Sequence, residues 1–173
     1  MKIVVETPAH EAAVDKMVAD AFGPDRFAKT VYRLRDDVAP VASLSLVMLD
    51  GEEVVGTLRF WPILIGGLTP ALLLGPLVAT ADRQGQGIGT SLMEEGLTRA
   101  AAQGHRIVVL VGDEPYYRRF GFSRALARSL KLPGWVDKKR FLAHELVAGA
   151  MASVSGMIGK PHNILVDRAV IAA

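Results

Sequence analysis

The chain has 173 residues, 50% of them apolar, and carries 20 Lys and Arg against 18 Asp and Glu. That near balance, with no basic run and no aromatic-interleaved basic stripe, argues against a nucleic-acid partner. The absence of cysteine excludes disulfides, thiolate zinc sites and a cysteine nucleophile, and it fits a reducing cytoplasm.

A chain of this length buries roughly 70% of its unfolded surface, enough for one core. A single domain over residues 1–173 is expected, with its core motifs in 2–122 and C-terminal strands and an irregular segment in 123–173. The opening MKIVVETPAH has an apolar run too short for a signal peptide. A first strand is predicted at residues 2–5, then helices at 11–22 and 26–36, where apolar residues recur at helical spacing. Residues 43–49 alternate, Asp50-Gly51 supplies a turn, and 53–61 resume as an extended run, so a hairpin is predicted.

The uncharged stretch 60–81 is long enough to span a membrane, but Pro62, Pro70, Pro76, Gly66, Gly67 and Gly75 would break a helix there repeatedly. Two buried strands joined at Gly66-Gly67, the second near 71–79, fit it better, and no membrane partner is expected. Proline at Gly75-Pro76, inside an interior strand, marks either a bulge or a plain kink.

Next comes RQGQGIGTSL (83–92), then a helical stripe from Ile88 that ends at Gln103-Gly104, then an apolar run at 106–112. Strand, glycine loop, helix and buried strand make a βαβ unit. Beyond it lie a helical turn at 115–120, a strand from Phe122, an irregular 129–137, a strand within 140–147, and a poorly patterned 148–163.

A glycine-rich turn that opens a helix leaves backbone N–H groups unpaired, with the helix dipole behind them, and such a site favours phosphate oxygens. A merely flexible turn is the competing reading, disfavoured by the long helix directly behind. A Walker loop is excluded, because no lysine lies between Lys29 and Lys131. Gly85-x-Gly87-x-Gly89 is one residue short of the dinucleotide fingerprint, although Asp113 could imitate its ribose-binding acid. A nicotinamide or flavin dinucleotide reader therefore stays open as an alternative.

Gln84-Gly85-Gln86-Gly87-Ile88-Gly89 matches the Gln/Arg-x-x-Gly-x-Gly/Ala signature of the GNAT superfamily of N-acetyltransferases. Tyr116-Tyr117-Arg118-Arg119-Phe120-Gly121-Phe122, one helix and one strand later, resembles the aromatic-Tyr-x-x-x-Gly-Phe motif of the same proteins. The resemblance runs from residue 2 to about 122, and the segment after Phe122 resembles a bacterial subgroup of predicted acetyltransferases. It implies an α/β (α+β) fold: a mixed, mostly antiparallel twisted sheet flanked by helices, with a central βαβ acyl-CoA site.

It further implies that the pyrophosphate of acetyl-CoA, the co-substrate, sits on the amides of Gln84, Gly85, Gln86, Gly87, Ile88, Gly89 and Thr90. The pantetheine arm would lie beside Leu77, Val78 and Ala79 as if it were an extra strand, and a bulge at Gly75-Pro76 would turn an N–H towards the thioester carbonyl. Tyr117 falls on the tyrosine that protonates the departing thiolate; core packing is the other reading for it, and packing is assigned to Tyr116. Arg118 and Arg119 read as solvated charges, with pairing to phosphates as the other reading. Ala81 replaces a common proline, and Asp113 stands where an amide often contacts the pantetheine, which leaves that contact in doubt.

Without cysteine, the implied reaction is direct attack by a primary amine of a small-molecule or peptide acceptor, with no metal. Asp113, Glu114 and His144 are the candidate bases, none of them singled out, and Trp61 and Trp135 are candidates for an acceptor pocket or for the core. A non-catalytic acyl-CoA binding or sensing module is the alternative, and edge strands leave room for a homodimer.

Overall fold

The computed structural model describes residues 1–161. Strands β1 (Lys2–Val5), β2 (Leu46–Asp50), β3 (Glu53–Ile65), β4 (Thr69–Ala79), β5 (Ile107–Val111) and β7 (Phe141–Glu145) lie side by side in the order β1-β2-β3-β4-β5-β7. The short β8 (Gly156–Gly159) pairs with the end of β3, and β6 (Leu130–Lys131) pairs with β8. Only β4–β5 and β6–β8 are parallel; the other pairs are antiparallel. This is the mixed, mostly antiparallel sheet that the sequence implied.

Helix α1 (Glu11–Phe22) and the first strand fall where periodicity predicted them. The second helix is shorter than expected. Pro24–Ala28 form a 3-10 turn, Lys29 is extended, and only Thr30–Arg35 form the helix α2. Strand β2 begins three residues late because Ala42–Leu44 turn as a 3-10 helix, with the Ser45 hydroxyl donating to the Val41 carbonyl at 3.1 Å.

Strand β3 runs past 61 to Ile65. Pro62 lies beyond the last β2 pair and before the first β8 pair, where that edge of β3 pairs with no strand among the described residues and proline is tolerated. The uncharged stretch is thus two sheet strands joined through Gly66 and Gly67, both at positive φ. Among the described residues no helix is long and apolar enough to cross a membrane.

The strand expected from Phe122 does not form. Ser123 makes a single bridge to Ala143, then its hydroxyl accepts from the Leu126 N–H and caps the short helix α5 (Arg124–Ala127). The side-chain cap offers the backbone a turn in place of a ladder.

Helices cover both faces. On one, Ile88, Leu92, Met93 and Ala100 of α3 (Ile88–Ala102) pack on Leu46, Met48, Leu58 and Phe60. On the other, Val14, Met17 and Val18 of α1 pack on Val47, Leu49, Val54 and Val78, while α2 and α5 cover Ile63, Leu73 and Val109. Gly96 lets α3 sit close to the sheet, since a β-carbon there would stand 2.8 Å from Leu58 and 2.9 Å from the fully buried ring of Phe60. Gly96→Ala should gain up to about 1 kcal/mol of helix propensity and lose more, roughly 1–3 kcal/mol, to overpacking against a ring that has nowhere to move. Thermal unfolding of the variant should therefore begin a few degrees lower.

Candidate functional site

Strand β4 carries one residue too many for its neighbour. Leu58 faces Leu77 and Phe60 faces Leu74, so Gly75 and Pro76 together stand opposite Arg59 alone, and the bulge inferred from the proline is present. Trp61 Nε1 donates to the Gly75 carbonyl at 2.6 Å and holds the turn of the chain. The extra residue also swaps the strand's faces: Leu72 and Leu74 point towards α3 before it, Leu77 and Ala79 after it.

At that point β4 leaves β5. The two pair only at Leu72–Val108 and Leu73–Val109. Beyond these pairs β4 stays bonded to β3 as far as Ala79, but its other edge faces a cleft of about 680 Å³ bounded by Leu110, Val111 and Gly112 on the β5 side. Leu77, Val78 and Ala79 lie on this diverging segment, and Leu77 lines the cleft.

The glycine loop comes next along the chain. Gly85 and Gly87 have φ of 82° and 78°, the left-handed region that favours glycine, and a β-carbon on either would meet nothing within 4 Å. The Gln84 and Gln86 amides bond weakly back to Ala81 and Arg83, and the first helical bond of α3 runs from Ser91 to Gly87. The amides of Gly85, Gly87, Ile88, Gly89 and Thr90 have no partner among the described residues. With the dipole of a 15-residue helix behind them, they suit phosphate oxygens. Arg83, paired with Asp50 at 2.8 Å, fastens the loop to the β2–β3 turn.

Helix α4 (Glu114–Tyr117) brings both tyrosines to the cleft. Tyr117 lies against Gly112, edge-on to Tyr116 (centroids 4.8 Å) and to Phe122 (6.1 Å). Burial pushes its phenol up to about 12; Tyr116 and Asp113 add to the shift and Arg140 opposes it. Tyr116, to which packing was assigned, has its hydroxyl 3.0 Å from where a β-carbon on Gly89 would stand, so it packs as far as the start of α3. Arg119 stacks on Tyr116 at 4.5 Å, and Arg118 is exposed.

Of the three candidate bases, Asp113 alone lines the cleft, paired with Arg140 at 3.4 Å. Glu114 accepts from the Arg124 amide, and His144 packs on Phe122 with its Nδ1 at 3.1 Å from the Gly121 carbonyl. Trp135 lines the cleft; Trp61 lies behind it. The opposite wall is the loop around Trp135 with α2, the latter unforeseen in the sequence, joined where the Thr30 hydroxyl donates to the Trp135 carbonyl at 2.7 Å. It presents Tyr32, Arg33 and Arg35 to the cleft. The only sequence signal was the density of cations in RFAKTVYRLRD.

Comparison with known proteins places this geometry. Residues 7–125 match the family described as Acetyltransferase (GNAT) domain. The chain is 32% identical to the uncharacterized N-acetyltransferase YhbS of Escherichia coli K12 over 160 residues, covering 91% of this chain and 95% of YhbS. The crystal structure of YhbS in complex with CoA superposes with a TM-score of 0.78 at 31% identity, covering 95% of this chain and 91% of that one. A GNAT family acetyltransferase from Brucella melitensis in complex with acetyl-CoA gives a TM-score of 0.70 at 30% identity, covering 91% and 94%.

Burial of Tyr117 has a consequence for alkaline stability. Its folded pKa lies above the unfolded value of about 10, so its contribution to stability is complete below pH 10 and is lost as pH rises towards 12. In an absorbance titration one of the three tyrosines should ionise near 12 and be missing from Tyr117→Phe. The melting temperature of that variant should fall less steeply across the same interval.

Proposed function

Because the chain belongs to the GNAT family of acetyltransferases, we propose that it transfers the acetyl group of acetyl-CoA to a primary amine by direct attack, without an acetyl-enzyme. The observation that carries this reading is the unpaired edge of β4 opening beside five unpaired loop amides. A pyrophosphate joined to an amide-bearing arm fits that pair of features, with charge for the loop and hydrogen-bonding groups for the strand edge.

In this reading the amides of Gly85, Gly87, Ile88, Gly89 and Thr90, flanked by Gln84 and Gln86, take the phosphates. Leu77, Val78 and Ala79 offer their backbone edge to the arm. The co-substrate supplies an acetyl group activated as a thioester. Without cysteine, no thiol of the chain can carry the acetyl group, so the acceptor amine, once a base has taken its ammonium proton, attacks the thioester carbonyl itself; the C–N bond forms, the C–S bond breaks, and the nitrogen sheds its surplus proton to solvent.

Tyr117 then delivers the proton that the departing sulfur needs. Its raised pKa keeps the phenol fully protonated at neutral pH. The mismatch with an ordinary thiol near 8.5 narrows inside the cleft, since the same dehydration that holds the phenol neutral also raises the proton affinity of a thiolate beside it. The Asp113–Arg140 pair leaves little net charge next to the phenol to offset this.

Acetyl-CoA should raise the melting temperature and NAD should not; stabilisation by NAD alone would point to the dinucleotide reading. Thiol release across amines, from peptides with free N-termini to polyamines and amino acids, should identify acceptors, and stabilisation by acetyl-CoA with no release from any of them would indicate a binding module. Tyr117→Phe should lower kcat about 10- to 1,000-fold with little change in acetyl-CoA affinity, while an unchanged kcat would leave Tyr117 a packing residue.

A further inference from the structure

Arg35, the last residue of α2, faces the cleft at the bulge. Its guanidinium carbon lies 4.7 Å from the centre of the Tyr32 ring and 5.5 Å from that of Trp61. One terminal nitrogen lies 2.8 Å from where a β-carbon on Gly75 would stand, so the guanidinium rests on the backbone where β4 leaves β5. Among the described residues its buried Nε has no hydrogen-bond partner, and no carboxylate pairs with the guanidinium.

Burial draws the Arg35 pKa down to about 10, against the raising influence of Tyr32, so the group is charged at neutral pH but short of hydration. Stacking on two rings compensates a dehydrated cation only in part. The other charges lining the cleft do not supply the missing anion. Asp113 is held by Arg140, the Asp137 carboxylate accepts from the Lys139 amide, and Lys29 and Arg33 add positive charge.

We propose that Arg35 receives the carboxylate of the acceptor, which is therefore a small amine bearing a carboxylate, as in a free amino acid. This rests on the acetyl-transfer reading, which puts the reacting thioester beside Gly75. A carboxylate is planar and singly charged, and it matches one guanidinium fork. A phosphate monoester, closer to doubly charged, would call for a second unengaged cation aimed at the same point, but Arg33 is turned to the Thr30 hydroxyl and the Lys29 ammonium lies over the Phe22 ring, 5.6 Å from its centre. Apolar neighbours, Val31, Leu74 and Leu132, leave room for a side chain that needs no polar partner.

The test compares L-amino acids with their C-amides, which keep the shape and lose the charge, and uses two readouts. Binding is followed by tryptophan fluorescence with and without CoA, since Trp61 stacks on Arg35 and Trp135 lines the cleft. Turnover is followed by thiol release from acetyl-CoA, corrected for the fraction of unprotonated amine. At least one acid should bind about 10- to 100-fold more tightly than its amide, and Arg35→Gln should erase that difference without weakening acetyl-CoA binding.

The acid-to-amide comparison on the unaltered protein stands even if the variant fails to fold. Equal response to acid and amide, or response to neither, overturns the assignment. So does a variant that lowers kcat for every acceptor alike and keeps the acid-to-amide ratio, because Arg35 would then act on the thioester. Selective binding of the acid without thiol release upholds the carboxylate site and overturns acetyl transfer; equal turnover of acid and amide does the reverse.

Discussion

Two strands share hydrogen bonds only while their backbones stay about 4.8 Å apart, and one extra residue in β4 ends that for β4 and β5. Everything at the site depends on this parting. Gly75-Pro76 releases the β4 edge after Leu73, opens the cleft, and inverts the strand's faces so that Val78 reaches α1 while Leu77 and Ala79 stay with α3. The sheet does not fall apart there because β3 is continuous behind the gap. Arg59, the residue facing the bulge, is locked to Glu6 by two hydrogen bonds, and that bonding raises its pKa.

A single physical cause runs through the electrostatics of the cleft. Dehydration favours the neutral form of any group, so it raises the pKa of the Tyr117 phenol and lowers that of the Arg35 guanidinium. The two shifts have opposite sign and opposite meaning. A neutral phenol is content in such a place, and it yields its proton only to a base that the same dehydration has strengthened. A guanidinium that stays charged there is left in want of an anion. The loop amides at the far end of β4 are in a similar position, with partial positive charge and no acceptor.

The parts of this arrangement that could be read from the sequence are those whose causes are local. Positive φ at Gly85 and Gly87 is a property of two residues and the helix behind them, and proline inside an apolar strand marks an irregularity there, a bulge or a kink, by itself. What escaped depends on distant partners. Helix α2 is cut short by an extended Lys29, and it becomes a wall of the cleft only because Thr30 bonds to Trp135, 105 positions away. That Tyr116 packs over Gly89 is another such pairing, since nothing nearby in the sequence says that Gly89 lies under its hydroxyl. One miss was local: the expected strand at Phe122 was lost to a hydroxyl cap on Ser123, a competition that alternating hydrophobicity does not register.

An unpaired strand edge in the middle of a sheet is ordinarily a hazard, because it invites a strand from another molecule. Here the edge lies at the bottom of a cleft walled by α2, α4 and the loop of Trp135. An intruding polypeptide would have to bring side chains alternately up and down into that space, against Leu77 on one side and the tyrosines on the other. A slender chain with amides and no side chains would meet no such obstacle. On the acetyl-transfer reading, the gap would discriminate between backbones by their width, admitting a strand mimic while refusing a strand.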